Sequence, residues 1–139
     1  MKYVLDEGAV KPGYAHDFDA GLDLYAKTTG QKIVIPPYGG SKVFDTGVHL
    51  AIPQHFCGRV KSRSSMLMKQ IVTDGLVDAN YTGSIRVILF NHGPEAYTVN
   101  PGDKIAQVVI TPCLRPPLEQ VDILESTDRG DNGFGSTGR

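Results

Sequence analysis

Cations and hydroxyl groups are concentrated between Arg59 and Ser65, where a predicted strand meets a possible helix start. Arginine side chains, serine hydroxyls and the free N–H groups of a helix start all bind phosphate oxygens, so this segment could form a phosphate cradle. The alternative is that Ser62, Ser64 or Ser65 caps the helix while the arginines remain in solvent. From these residues alone, both interpretations stay open.

Two aspartates stand in apolar surroundings. Asp23 interrupts an otherwise apolar stretch from Ala20 to Ala26. Its carboxylate could bind a cation, directly or through water, or a basic residue, or it could lie on the solvent face of an edge strand. Asp78 follows two aliphatic residues in the stretch 75–83. It could be a general base that orients a water molecule, or it could cap its own turn.

Gln107 is the one polar residue in the apolar run that follows the turn at Gly102 and Asp103. A buried amide needs a hydrogen-bond partner, which could be the backbone, a phosphate or a neighbouring subunit. The last eleven residues contain four glycines, two hydroxyl side chains and two arginines. Such a tail could close its N–H groups over a flat, phosphorylated ligand such as a nucleotide, or it could be a solvated end.

The elements that would position these groups are short strands. Sixteen glycines and nine prolines divide the sequence into brief apolar or alternating runs without helical spacing. This pattern predicts an all-β fold with a closed or double-sheet antiparallel architecture. One helical turn is expected at 64–69, and strands are expected at 22–26, 32–35, 41–52, 56–61, 84–91, 97–100, 104–111 and 118–123.

Composition narrows the function classes. The length of 139 residues fits a single domain, and a net charge of −1 argues against a general nucleic-acid-binding protein. No secretory signal or membrane-spanning run is seen, and the two cysteines suit a reducing compartment as buried thiols. We therefore expect a cytoplasmic protein with no membrane partner.

The four clusters and the tail resemble, in order and spacing, the five motifs of the homotrimeric dUTPase family from Ala20 to Arg139. The resemblance implies a jelly-roll-like β-sandwich that forms a homotrimer with shared active sites. It implies a domain at 1–128 and a flexible arm at 129–139 that closes over a neighbouring active site. The implied reaction is hydrolysis of dUTP to dUMP and pyrophosphate with Mg²⁺, which would supply dUMP for thymidylate synthesis.

The resemblance also implies roles for individual residues. Asp78 matches the carboxylate that activates water. Tyr81 matches the ring that packs on the deoxyribose, and Asp23 matches the acid that holds water ligands of the metal. Phe134 would stack over uracil, and Gly75 would contribute to the base-reading segment. The other expected substrate-binding residues, most of them at the phosphates, are Arg63, Ser64, Ser65, Asn80, Gln107, Arg129, Gly135, Ser136 and Thr137.

The chain departs from the family pattern in three respects, including Lys61-Ser62 before Arg63 and Asn132 in the tail, where the family has other residues. Asn80 stands where the family usually has a second acid before the tyrosine, and the segment from Gln70 to Gly75 is shorter than the common uracil-reading hairpin.

Two other functions are compatible with the same fold. One is a dCTP deaminase-type enzyme, and the other is a regulatory protein that uses nucleotide binding as a switch.

Overall fold

The computed structural model describes residues 1–131, and this part of the chain is almost entirely β structure. A single short helix, α1 (Ser64–Leu67), follows the sixth strand. The strands are β1 (Tyr3–Leu5), β2 (Gly21–Tyr25), β3 (Ile33–Ile35), β4 (Gly40–Asp45), β5 (Val48–Leu50), β6 (Phe56–Lys61), β7 (Ile71–Val72), β8 (Asp74–Val77), β9 (Arg86–Asn91), β10 (Tyr97–Val99) and β11 (Lys104–Pro112).

Four antiparallel sheets are formed within residues 1–131. The largest has the order β2-β11-β6-β8, and a three-stranded sheet has the order β4-β9-β7. Two further pairs, β1 with β5 and β10 with β3, complete the set. Strands far apart in sequence are neighbours in space, as expected when an antiparallel fold joins its sheets by crossovers rather than by successive hairpins.

Apolar side chains from both larger sheets form one core. Strand β9 alternates buried and exposed residues along its length, which is the signature of a strand with one face on the core. Its buried Val87 and Leu89 belong to the same cluster as Leu24 of β2 and Val108 of β11. The packed core therefore fixes the position of the four-stranded sheet, on which the polar clusters lie.

The predicted strands agree with the structure except at three places. The stretch 41–52 is two strands, because Gly47 adopts a φ of 66° and turns the chain between β4 and β5. The predicted strand at 118–123 is wrong, since that segment is exposed and has no strand partner. Strands β1, β7 and β8 were not expected, because two to four residues are too few to show a periodic pattern.

The predicted all-β, jelly-roll-like fold is confirmed. Within residues 1–131, no helix is long and apolar enough to span a membrane. Both cysteines carry free thiols, with Cys57 buried as expected and Cys113 partly exposed.

Candidate functional site

A polar cavity of about 420 Å³ lies beside the start of α1. Its walls combine a guanidinium, two serine hydroxyls and an amide with two carboxylates and an imidazole-bearing residue. The lining residues are Ala15, His16, Asp19, Ala20, Gly21, Asp23, Arg63, Ser64, Ser65, Gln107 and Val109. Numbered along the chain, the predicted clusters around Asp23, Arg63, Asp78 and Gln107 are the first to the fourth. The structure brings the first, second and fourth to one cavity, although they are spread over almost ninety residues of sequence.

Strand β11 organises this cavity because it lies between β2 and β6. Gln107 is directly opposite Asp23 on one side and Lys61 on the other. Directly opposed residues project to the same face of a sheet, so Asp23 and Gln107 share the face that lines the cavity. The Gln107 amide donates to the Ser62 carbonyl at 3.2 Å. Of the hydrogen-bond partners expected for this amide from the sequence, the structure therefore shows the backbone.

Gly21 leaves room for the Gln107 side chain. A Cβ added at Gly21 would lie 2.6 Å from Gln107 Oε1 and 3.0 Å from its Cβ, which is closer than real side chains pack. The amide therefore rests directly on the backbone of β2.

Asp23 is buried, with 6% of its surface exposed, so the alternative of a solvent-facing aspartate is wrong. Its two carboxylate oxygens accept from two different cations. Arg63 Nε lies 3.1 Å from Oδ1, and Lys104 Nζ lies 2.7 Å from Oδ2. A buried carboxylate is stable only when paired, and here two positive charges surround one negative charge. These two cations outnumber the Asp23 carboxylate, but Asp19 also lines the cavity, so the charges of the four side chains balance.

A β-bulge brings Lys104 to this cluster. Residues 104 and 107 are three apart, and in a regular strand they would face opposite sides of the sheet. The register shifts between Lys104 and Ala106, so that Lys104 is opposite Tyr25 while Gln107 is opposite Asp23. The extra residue turns Lys104 to the face of Asp23. Its ammonium group also lies 5.7 Å from the centre of the Tyr25 ring.

The hydrogen bond from Lys104 to Asp23 raises the pKa of Lys104 above its ordinary value. This lysine is therefore a permanent cation at neutral pH. Lys104 has no function predicted from its sequence context. Its position after the Gly102 turn is the only feature that connects it with the cluster around Gln107.

Arg63 is the residue immediately before α1. The segment before it is held by Ser62, whose hydroxyl accepts from the Thr73 amide at 2.7 Å and donates to the Thr73 carbonyl at 3.0 Å. Helix α1 has no side-chain cap, so the capping interpretation of Ser62, Ser64 and Ser65 is wrong. Ser64 and Ser65 are exposed at the cavity and available to an anion.

The third cluster lies elsewhere. Asp78 follows the last residue of β8, and its carbonyl accepts from the Tyr81 amide in a turn. The Tyr81 hydroxyl donates to the Ser84 carbonyl at 2.9 Å, and its ring lies against Gly83, where an added Cβ would be 2.5 Å from the hydroxyl oxygen. Asp78 and Tyr81 are both exposed. Within residues 1–131, the Asp78 carboxylate has no hydrogen-bond partner, so its predicted use as a side-chain cap of the turn is not seen.

Asp78 and Arg63 are at opposite ends of the β6–β8 ladder. Val77 is opposite Gly58, whereas Asp74 is opposite Lys61. Asp78 is level with residue 57, six residues before Arg63, so at about 3.3 Å per residue the strand separates them by roughly 20 Å. The structure therefore does not bring the third cluster together with the cavity in one chain.

Some of the remaining predicted site residues lie within residues 1–131, and the others lie beyond them. Gly75 is opposite Val60 in the β6–β8 ladder, and Asn80 lines a second cavity of about 370 Å³ with Gln54, His55, Ala79 and Arg115. Arg129 is exposed. Phe134, Gly135, Ser136 and Thr137 lie outside the described residues, and their roles remain predictions.

His16 is a second residue that the sequence analysis left without a role. It lines the cavity, and its amide donates to Asp19 at 2.9 Å, which fixes the loop before β2. No spacing to another ligand residue could have indicated this position.

A direct magnesium site is not seen in the described part of the chain. Within residues 1–131, no cluster of three acidic, histidine or cysteine side chains could hold a metal ion. The oxygens of Asp23 are shared with two cations, but each carboxylate oxygen has two lone pairs and can still accept from a water molecule. These residues fit a hydrated Mg²⁺ held mainly by the ligand, and they do not fit a protein-chelated ion.

The fold and cavity together define an all-β protein with a polar cavity in which arginine, serine and glutamine side chains meet. The family model for dUTPase matches residues 9–138. This chain therefore belongs to the dUTPase family.

Similar proteins were found among both sequences and structures. The deoxyuridine 5'-triphosphate nucleotidohydrolase of Syntrophotalea carbinolica is 43% identical over 138 residues, which cover 96% of this chain and 92% of the relative. The dUTPase of Staphylococcus bacteriophage 80alpha with dUpNHpp has a TM-score of 0.84 at 28% identity, covering 99% and 98% of the chains. A mutant dUTPase from phage phi11 of S. aureus, described with a structural Mg(II) ion, has a TM-score of 0.78 at 28% identity, covering 90% and 98%.

Proposed function

We propose that this protein hydrolyses dUTP to dUMP and pyrophosphate. The observation that carries the proposal is the cavity in which Arg63, Ser64, Ser65 and Gln107 surround the cation-paired Asp23, in a chain of the dUTPase family. Arg63 and the hydroxyl and amide groups of the cavity can donate to phosphate oxygens. Mg²⁺ would neutralise most of the roughly four negative charges of a triphosphate, since neither the cavity nor the chain, with its net charge of −1, has a basic surplus.

In this mechanism, Arg63 and the two serines bind the phosphate oxygens and neutralise charge that develops during the reaction. Asp78 orients a water molecule and accepts its proton as the water oxygen bonds to the α-phosphorus. The bond from the α-phosphorus to the bridging oxygen breaks at the same centre, and pyrophosphate leaves with the electron pair. Mg²⁺, when bound, supplies charge neutralisation across the phosphates, with Asp23 holding its water ligands.

The active site is shared between copies of the chain in a homotrimer. The separation of roughly 20 Å between Asp78 and Arg63 is supporting evidence, because one triphosphate cannot contact both groups of a single chain in a productive geometry. The segment after β11 is further support. Its apolar side chains are strongly exposed, with Leu118 at 98% and Leu124 at 83%, as expected for a segment that packs on another copy.

In the completed site, Tyr81 packs on the deoxyribose and excludes a 2′-hydroxyl, while the 70–75 segment reads uracil through its main chain. Gly75 and Asn80 contribute to this side of the site. Arg129, Phe134, Gly135, Ser136 and Thr137 form the arm that closes over the nucleotide. Closure would exclude bulk water and strengthen the electrostatic interactions within the site.

The test is to measure pyrophosphate release from dUTP, dCTP, dTTP and UTP side by side, with and without Mg²⁺. We expect turnover of dUTP alone, and only with Mg²⁺. Ammonia release from dCTP would instead support the deaminase alternative. Tight dUTP binding without turnover would support the regulatory one.

A further inference from the structure

The loop that carries Asp78 and Tyr81 is attached to the rest of the protein by a histidine. His49, in β5, has both ring nitrogens engaged: Nδ1 lies 2.8 Å from the Thr82 carbonyl oxygen, and Nε2 lies 3.0 Å from Asp6 Oδ1. Both partners can only accept hydrogen bonds, because one is a carbonyl and the other an ionised carboxylate. The two contacts therefore require a proton on each nitrogen, which only the imidazolium has.

A neutral His49 ring can satisfy only one of these partners. It has a single N–H, and the other nitrogen presents a lone pair to an oxygen. The carboxylate is the stronger acceptor, so the remaining N–H is expected to stay with Asp6. The Thr82 carbonyl then loses its donor and faces a lone pair. The contact that breaks on deprotonation is thus the one that holds the loop.

We propose that His49 is a positioning residue whose protonation clamps the 78–84 loop and so holds Tyr81 in place. The inference rests on the proposed function only in assigning Tyr81 to the substrate. Its structural part concerns His49 and Thr82 and stands independently of the reaction.

The surroundings of His49 favour the protonated ring. Asp6 accepts from His49 and from Lys27 Nζ, and Lys27 also pairs with Asp45 at 2.9 Å, so two carboxylates belong to the network around the ring. The hydrogen bond to Thr82 is the largest cause that raises the pKa of His49 above 6.5, and the contact with Asp6 adds to it. The titratable groups that face or border His49 are Asp6, Lys27, Asp45, Lys2 and Tyr3.

The direction of the pH dependence follows from this shift. Because the folded-state pKa of His49 is raised, its contribution is complete below pH 6.5 and is lost as the pH rises through the folded-state value. The loop should therefore be ordered in mildly acidic solution and loosen on the alkaline side.

The other end of the loop is held by groups that do not titrate in this range. The Ser84 hydroxyl donates to Asp45, and the Thr46 hydroxyl donates to the Ile85 carbonyl at 2.7 Å. Loosening should accordingly be confined to the segment around Tyr81 and Thr82, while Ile85 and β9 remain fixed.

The experiment combines NMR titration of the histidine rings with amide exchange of the Tyr81 N–H, which donates within the loop. Exchange is expressed as a protection factor, which removes the chemical effect of pH on exchange. We expect the wild-type protection of Tyr81 to fall roughly tenfold as His49 deprotonates, as for loss of a hydrogen bond to a charged group. Amides of the β6–β11 ladder should not change.

Two variants and a control make the result specific. His49→Gln should show low, pH-independent protection of Tyr81, because both glutamine N–H donors are on one nitrogen, which cannot take the place of both ring nitrogens. Asp6→Asn should abolish the transition and keep Tyr81 protected at alkaline pH, because the asparagine amide can donate to an unprotonated Nε2 while Nδ1–H stays with Thr82, and this tests the clamp even if the first variant folds poorly. His92→Gln, an exposed histidine outside the network, should behave as wild type.

Kinetic measurements connect the clamp with Tyr81. The preference for dUTP over UTP should decrease across the same pH range in the wild type and be uniformly low in His49→Gln. Unchanged protection of Tyr81 across the titration of His49, or a wild-type profile in His49→Gln, would overturn the inference. If the wild type leaves dUTP intact, the proposed function fails, and the exchange data still decide the role of His49.

Discussion

Lys104 and Asp23 form an ion pair of 2.7 Å across neighbouring strands, although they are 81 residues apart in sequence. The same carboxylate receives Arg63, so one acid positions two cations at the edge of the cavity. This relationship places an ammonium group and a guanidinium beside the cavity in a chain that has no basic surplus.

The first prediction concerns Lys104. Replacing it in Lys104→Met should leave Asp23 paired with Arg63 alone and allow the guanidinium to move, raising KM for dUTP about tenfold with a smaller effect on kcat. Lys104→Arg should restore most of the affinity, and Lys42→Met, on the exposed side of β4, should have no effect. Equal KM values for Lys104→Met and wild type would remove Lys104 from the site.

The second prediction uses two glycines with different surroundings. In Gly21→Ala the new methyl would push against the Gln107 side chain, so affinity for dUTP should fall roughly tenfold in a folded protein. Gly13→Ala is the matched control, because a Cβ there has no atom within 4 Å. Steady-state kinetics of both variants decide this, and equal kinetics would show that Gln107 does not contact the substrate.

The third prediction tests Asp78 as the general base. Asp78→Asn keeps the shape of the side chain but cannot accept the proton, so kcat should fall by about a thousandfold or more while nucleotide binding is retained. Asp74→Asn, at the other end of the same strand, removes an exposed partner of Lys61 and should keep normal turnover. Single-turnover kinetics and calorimetric binding separate the two effects. Near-normal turnover in Asp78→Asn would exclude the assignment.

The fourth prediction concerns the C-terminal arm. Deleting residues 129–139 should leave the thermal unfolding midpoint nearly unchanged and reduce dUTP turnover by at least about a hundredfold, because the site could no longer exclude water. Circular dichroism and pyrophosphate release provide the two measurements. Full activity of the shortened chain would refute a catalytic arm.

The fifth prediction concerns acid stability. Partial burial raises the pKa of Asp45, but the hydrogen bonds from Ser84 and Lys27 outweigh this effect and lower it to about 2. Since the folded-state pKa is depressed, the stabilisation is present above pH 3.8 and is lost as the pH falls towards 2. Asp45→Asn should therefore be less stable than wild type at pH 7, with a difference that narrows below pH 3.8.

Urea unfolding of the Asp45→Asn protein at several pH values measures this difference. Glu95→Gln, an exposed residue in the loop before β10, is the control and should match wild type throughout. A constant difference between Asp45→Asn and wild type down to pH 2 would contradict the assigned pKa.

The sequence by itself determined the fold class and most members of the site. Glycine and proline turns with short apolar runs predict an all-β chain, because these signals act within a few residues. Residue types carry the chemistry directly, so the cations and hydroxyls at 63–65 and the polar Gln107 could be identified without coordinates.

Only the tertiary structure decided how these groups combine. A bulge turned Lys104 towards Asp23, strand register placed Asp78 away from Arg63, and folding brought Asp6, His49 and Thr82 together. Each of these relationships depends on pairing between segments distant in sequence. A shift of one residue in a strand reverses the face of every side chain, and local sequence patterns do not specify that register.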